Sequence, residues 1–236
     1  MARLLGVLGG MGPLATADFF RKLIEETPAQ RDEQHVPVVV YSVPQMPSRE
    51  NAITHGSESP LPQMLAGMTA LSKLEVGCVA IPCNTAHYWY DELQRSSQLP
   101  ILHIADAACD ELRKRGGTQS RVGLLCTEAT IVARIYHDRL AAHDIECVLN
   151  TPAEREELVR FTIDAVKRGS LEDAGRMLER AAALLFERGI ESVILGCTEL
   201  PVALDAIRSA VVPRCIDATR ALARECVAWS LESRRG

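Results

Sequence analysis

Two segments of this chain end an apolar, strand-like run in the same way. Val79-Ala80-Ile81-Pro82-Cys83-Asn84 and Val193-Ile194-Leu195-Gly196-Cys197-Thr198 each close the run with a cysteine followed by a small polar residue. A second pair, Gly6-Val7-Leu8 and Gly123-Leu124-Leu125, recurs in the same order at nearly the same offset, 117 positions against 114. Two matches at one offset predict two similar halves built from one supersecondary pattern.

The pattern is α/β. Short runs rich in β-branched residues at 4–8, 36–43, 79–82, 101–104, 122–126, 145–149, 193–195 and 211–213 read as strands. Helical patterns lie between them at 14–27, 61–75, 85–96, 105–115, 128–142, 153–168, 171–188, 199–208 and 217–232. Over 171–188 the period is clear: Leu171, Ala174, Leu178, Ala181, Ala182 and Leu185 share one face, and Gly189 ends it. Continuous apolar strands separated by helices imply parallel sheets covered on both faces. The expected fold is two similar α/β halves, each with a parallel sheet. Residues 1–98 with 209–236 form the first half and 99–208 the second, with a ligand crevice between them where the halves face each other. Residues at the carboxyl ends of parallel strands face that crevice, so Cys83 and Cys197 approach it from opposite sides.

Composition narrows the function. Hydrophobic residues make up 47% of the 236 and charged residues 24%, an ordinary globular balance. The net charge of −5 argues against a nucleic-acid partner. The one dense basic cluster, Arg234-Arg235, reads as a frayed tail. No apolar run reaches the roughly 20 residues of a membrane span. The opening stretch carries one positive charge and is broken by glycines, so it reads as a first strand and turn, not a signal peptide. The eight cysteines include no C-x-x-C pair and several sit inside apolar runs, as free thiols of a reducing cytoplasm do.

Each cysteine of the repeat lies between a strand and a helix start, where free backbone N–H groups favour an anion. That setting lowers a thiol pKa from its reference of about 8.5, and also suits a substrate carboxylate. Asn84, Thr85, Thr127 and Thr198 stand beside these positions as hydrogen-bond donors or as simple caps. His87 follows Cys83 by one turn and either tunes the site or packs the helix. Glu199 is a carboxylate next to Cys197 or an ordinary first-turn acid. Gly10-Met11-Gly12-Pro13-Leu14-Ala15 satisfies the form of a dinucleotide fingerprint, but the second strand runs into Tyr41-Ser42-Val43-Pro44-Gln45 without the expected acidic residue. Its glycines bring the backbone, with Met11, close to the cleft or make a tight turn. Cys78, Cys83 and His87 do not form a metal-ligand spacing, and no metal is expected.

These segments resemble the aspartate racemases of the aspartate/glutamate/hydantoin racemase superfamily. The resemblance runs through Gly9–Pro13, Met46-Pro47-Ser48-Arg49, Pro82–His87, Gly123–Leu125 with Thr127 and Thr130, Lys167-Arg168-Gly169 and Gly196–Pro201. It implies two pseudo-symmetric Rossmann-like halves, each a doubly wound parallel sheet, with the active site in the cleft between them, homodimers, and catalysis on a small acidic amino acid without pyridoxal phosphate, metal or other cofactor. Cys83 and Cys197 are then the two acid/base thiols, one removing the Cα proton and the other returning one from the opposite face. Arg49 and Lys167 match the basic residues that hold the distal carboxylate, for which guanidinium is well shaped. The chain departs from the family in one place: Ser48-Arg49-Glu50 stands where Asp-Arg-Thr is common, placing a negative charge beside the cation. Glutamate racemases usually open with Asp-Ser-Gly where this chain has Gly-Met-Gly-Pro, which favours aspartate over glutamate. Racemisation of glutamate or of several amino acids, another reaction on the same fold, and a non-catalytic amino-acid-binding role are the alternatives.

Overall fold

A computed structural model describes residues 3–115 and 120–232. The Arg234-Arg235 pair lies outside the described residues. The first half contains β1 (Leu5–Gly9), α1 (Pro13–Glu26), β2 (Val38–Ser42), α2 (Arg49–His55), α3 (Leu61–Ser72), β3 (Cys78–Ala80), a 3-10 turn at Thr85–Trp89 running into α4 (Tyr90–Arg95), and β4 (Ile101–Leu102). Next, α5 (Ile104–Lys114) leads to β5 (Arg121–Leu125), α6 (Glu128–Val132), α7 (His137–Ala141) and β6 (Glu146–Val148). After these come α8 (Pro152–Glu154), a π-helical segment at Arg155–Arg160, α9 (Phe161–Lys167), α10 (Leu171–Glu187) and β7 (Val193–Leu195). The chain closes with α11 (Glu199–Ala206), β8 (Cys215–Asp217) and α12 (Ala218–Glu232).

The strands form two four-stranded sheets, ordered β2-β1-β3-β4 and β6-β5-β7-β8, with every pairing parallel. Each sheet therefore has the same order when its strands are counted from its own start, as the sequence repeat predicts. The α/β class and the two doubly wound halves are both present. β8, within the stretch grouped above with the first half, pairs with β7 in the second sheet. The helix that follows it, α12, returns to pack on α1 and α5.

Alternation along the strands distributes the core. Leu5 and Val7 of β1, Cys78 and Ala80 of β3, Val122 and Leu124 of β5, and Ile194 of β7 point into one shared cluster with α5 and α12. Leu8 and Val79 point outward into a cluster under α3, while Leu125, Val193 and Leu195 face α9, α10 and α11. The two sheets thus share a central core, which holds their carboxyl ends in register around the cleft.

Three local readings are corrected. The eighth strand is Cys215–Asp217; Val212–Arg214, centred on Pro213, forms a 3-10 turn, because proline supplies no N–H to a ladder. The helix expected over 128–142 is broken into α6 and α7, with Arg134 in the left-handed region at φ 52°. The break turns buried Ile135 and Tyr136 inward. The helix expected over 153–168 starts at Pro152 and passes through the π segment. A further helix, α2, has no counterpart in the sequence reading. Ser48 caps it by accepting from Asn51 N–H at 3.2 Å, and Gly56 ends it at φ 62°.

Candidate active site

A cavity of about 280 Å³ opens at the carboxyl ends of the central strands and is lined from both halves. From the first half come the β1–α1 turn with Met11, the start of α2 with Arg49 and Glu50, and Cys83, Asn84 and Thr85 after β3. From the second half come Thr127 after β5, Ile163 and Lys167 on α9, and Cys197, Thr198 and Glu199 after β7. All ten residues predicted for the site are therefore brought together. Sequence reasoning did not place Ile163, Pro44 or Ser48 there.

The β1–α1 turn is tied down by one side chain. Thr16 Oγ1 accepts from Gly10 N–H at 2.8 Å and donates to Gly12 carbonyl oxygen at 2.9 Å. Gly10 sits at φ 91°, and a Cβ there would lie 2.3 Å from Val43 nitrogen, so only glycine lets the turn pass the end of β2. This places Gly12 opposite Glu199: a Cβ on it would stand 3.8 Å from Glu199 Oε1.

Both cysteines are nearly closed off, 6% and 7% exposed. Burial pushes both thiols above the ordinary value, which reverses the lowering expected from a helix start alone. The local effect is still present. The backbone at Ala86 favours the Cys83 thiolate, and that at Glu199 the Cys197 thiolate. The Glu199 carboxylate disfavours both thiolates, and the two sulfurs differ in what else stands beside them. Arg49 shares the cavity wall with Cys83, and its charge opposes the effect of burial. Cys197 donates to Glu199 Oε2 at 3.1 Å, and that carboxylate adds to burial, holding the Cys197 thiol well above its usual range. Thr198 Oγ1 donates to the same oxygen at 3.1 Å.

Hydroxyls bridge the halves. Thr85, Thr127 and Thr130 form a triangle of Oγ1 contacts at 3.0 to 3.3 Å, and Thr127 also caps α6. Tyr136 donates to Asn84 Oδ1, which directs Asn84 Nδ2 the other way. That Nδ2 and Arg49 Nε are buried donors with no hydrogen-bond partner. The Arg49 Nη1 group donates to Pro47 carbonyl oxygen at 3.0 Å, and neither Arg49 nor Lys167 is in an ion pair among the described residues.

His87 is a packing residue. It is buried; Nδ1 lies 2.9 Å from Cys83 carbonyl oxygen and Nε2 accepts from Ile104 N–H at 3.2 Å. That second bond fixes the tautomer, so Nδ1–H donates to Cys83 and steadies the strand end. Burial pushes the His87 pKa down to about 4. All eight cysteines are free thiols. Among the described residues no group of three His, Cys, Asp or Glu is placed to hold a metal ion, and no helix is long and apolar enough to cross a membrane.

Two matched α/β halves, each placing a cysteine on the wall of one shared cavity, define a two-half α/β protein with its cleft between the halves. Residues 8–226 match the family described as Asp/Glu/Hydantoin racemase. The chain belongs to that family of isomerases and is an amino-acid racemase by that membership. It is 28% identical to the broad specificity amino-acid racemase RacX of Bacillus subtilis, over 97% of this chain and 98% of that one. Among solved structures it is similar to the aspartate racemase of Picrophilus torridus, at 29% identity and TM-score 0.84, covering 97% of this chain and 94% of the other. It is also similar to an aspartate racemase homologue from Pyrococcus horikoshii, at 26% identity and TM-score 0.76, covering 98% and 100%.

Proposed function

We propose that the protein interconverts L- and D-aspartate, with Cys83 and Cys197 as the two bases. The observation that carries this reading is the set of open groups around the two sulfurs. Two buried donors, Arg49 Nε and Asn84 Nδ2, lack partners, and two cations, Arg49 and Lys167, lack counter-ions among the described residues. Buried donors are rarely left unbonded, so a ligand rich in acceptors completes the site. A dicarboxylate supplies acceptors and negative charge for both cations, while a cavity of about 280 Å³ suits a molecule of aspartate's size.

In the proposed reaction the Cys83 thiolate takes the Cα proton from one face and the Cys197 thiol gives its proton to the other. The electron pair left on Cα passes into the α-carboxylate, which Asn84 Nδ2 and the threonine hydroxyls stabilise by hydrogen bonding. The enzyme is left with the opposite protonation pattern, ready for the other enantiomer. Broad specificity is the second reading, supported by the name of the Bacillus subtilis relative.

A panel of L-amino acids, followed by chiral chromatography under reductant, tests the substrate. Aspartate is expected to show the largest kcat/KM. Equal or greater values for glutamate or neutral amino acids would favour the broad reading.

A further inference from the structure

Glu50 follows Arg49 directly in the sequence, and the structure puts it in the cleft. It is the second residue of α2, following Arg49, and is half-buried. It lines the catalytic cavity and also a neighbouring chamber of about 480 Å³ between α2 and the α6–α9 side of the second half.

The other carboxylates around these two spaces are engaged. Glu199 accepts from Cys197 and Thr198. In the outer chamber Glu128 pairs with Arg155 at 3.3 Å, Glu156 with Arg160 at 3.1 Å, and Asp164 with Arg160 at 4.0 Å. The Glu50 carboxylate has no ion pair among the described residues. The cavity thus holds two cations and two carboxylates outside any ion pair among the described residues, and of the carboxylates Glu199 is occupied by the Cys197 and Thr198 donors while Glu50 is not. An α-amino dicarboxylic acid carries the complementary set, two carboxylates and one ammonium.

We propose that Glu50 accepts the α-ammonium group of the substrate and so restricts the cleft to amino acids with a free, charged amine. This rests on the racemase reading and adds the basis on which the substrate's amine is recognised. With Arg49 and Lys167 alone, the cleft would take a plain dicarboxylate as readily as aspartate. Glu50 repels such a ligand unless an ammonium accompanies it.

The test compares L-aspartate with succinate, which is aspartate without its amine, by calorimetric titration of the whole protein and of Glu50→Gln and Glu50→Asp variants. The unaltered protein is expected to bind aspartate more tightly than succinate. Glu50→Gln should weaken aspartate by about tenfold or more, the scale of a lost charge-assisted hydrogen bond, and leave succinate unchanged or tighter. Glu50→Asp should keep most of the preference. Equal binding of the two ligands by the unaltered protein, or loss of both by the same factor in Glu50→Gln, would overturn the proposal. Racemisation is assayed on the same samples. Preference for aspartate that depends on Glu50 but comes without turnover would sink the racemase reading and leave the ammonium assignment standing.

Discussion

The Cys197 thiol donates to Glu199 Oε2 at 3.1 Å, while the Arg49 cation, on the wall of the same cavity, favours the Cys83 thiolate. The pair is therefore biased before substrate arrives, with Cys83 the easier thiol to ionise and Cys197 the one that keeps its proton. The Cys83 charge also disfavours ionisation of Cys197, so the second proton is held more tightly than the first. Burial raises both, so the active singly protonated form should build up on the alkaline side of neutrality.

The first prediction concerns the pH profile of kcat/KM, which reports the free enzyme. Enantiomers have equal free energy, so the profile is the same in either direction. Its rising limb follows loss of the first proton, chiefly from Cys83, and its falling limb loss of the second, chiefly from Cys197. Glu199→Gln removes a charge that raises both thiols, Cys197 the more, and should move both limbs to lower pH, the falling limb further. Arg49→Gln removes the charge that opposes burial at Cys83 and should move the rising limb to higher pH. Limbs that stay in place in both variants would contradict the assignment of charges to thiols.

The buried His87 ring makes folding depend on acid. Its folded pKa of about 4 lies below the unfolded reference of about 6.5, so between these values the unfolded chain binds the extra proton. Stability is lost as pH falls through that window. At pH 5 the cost from this ring is about 2 kcal/mol. The urea midpoint should fall between pH 7 and pH 5 in the unaltered protein, and fall less in His87→Asn. An equal fall in both would remove His87 from the account.

A buried ion network ties α1 to the strand end that starts α12. Lys22 is fully buried and pairs with Asp18 at 2.5 Å and Asp217 at 2.6 Å. Asp217 Oδ1 also accepts from the N–H groups of Thr219 and Arg220. Lys22→Met leaves two carboxylates facing each other without the shared cation and should cost about 3 kcal/mol. Asp217→Asn keeps a capping oxygen and should cost less. Urea unfolding of the two variants gives the ranking, and the reverse order would contradict it.

Much of this was legible before the fold. The repeated strand-cysteine segments predicted matching sheets, and both cysteines do lie at matching strand ends. Alternating apolar strands and the stripe on α10 were equally readable, because burial leaves a period in the sequence. The misses have physical causes. Arg49–His55 has no apolar stripe, so α2 shows only as Ser48 at its start and Gly56 at its end. Arg134 adopts a left-handed conformation with no glycine to mark the break that aims Tyr136 at Asn84. Val211–Pro213 reads as a strand from its valines, yet the strand is Cys215–Asp217, which ends on a charged residue. The thiol shifts went the other way from the local expectation, since helix-start effects are visible in sequence and burial from two converging halves is not.

The central claim is that Cys83 and Cys197 act on opposite faces of Cα, and deuterium exchange in single-thiol variants tests it most directly. Cys83→Ala and Cys197→Ala are incubated separately with each enantiomer of aspartate in D₂O under reductant. Each variant should lose interconversion by a factor of at least about a hundred, the lower range for a missing acid/base group. Each should still wash deuterium into one enantiomer with retention, and the two variants should choose opposite enantiomers. Racemisation that survives in either variant, or exchange of the same enantiomer by both, would contradict the two-thiol account.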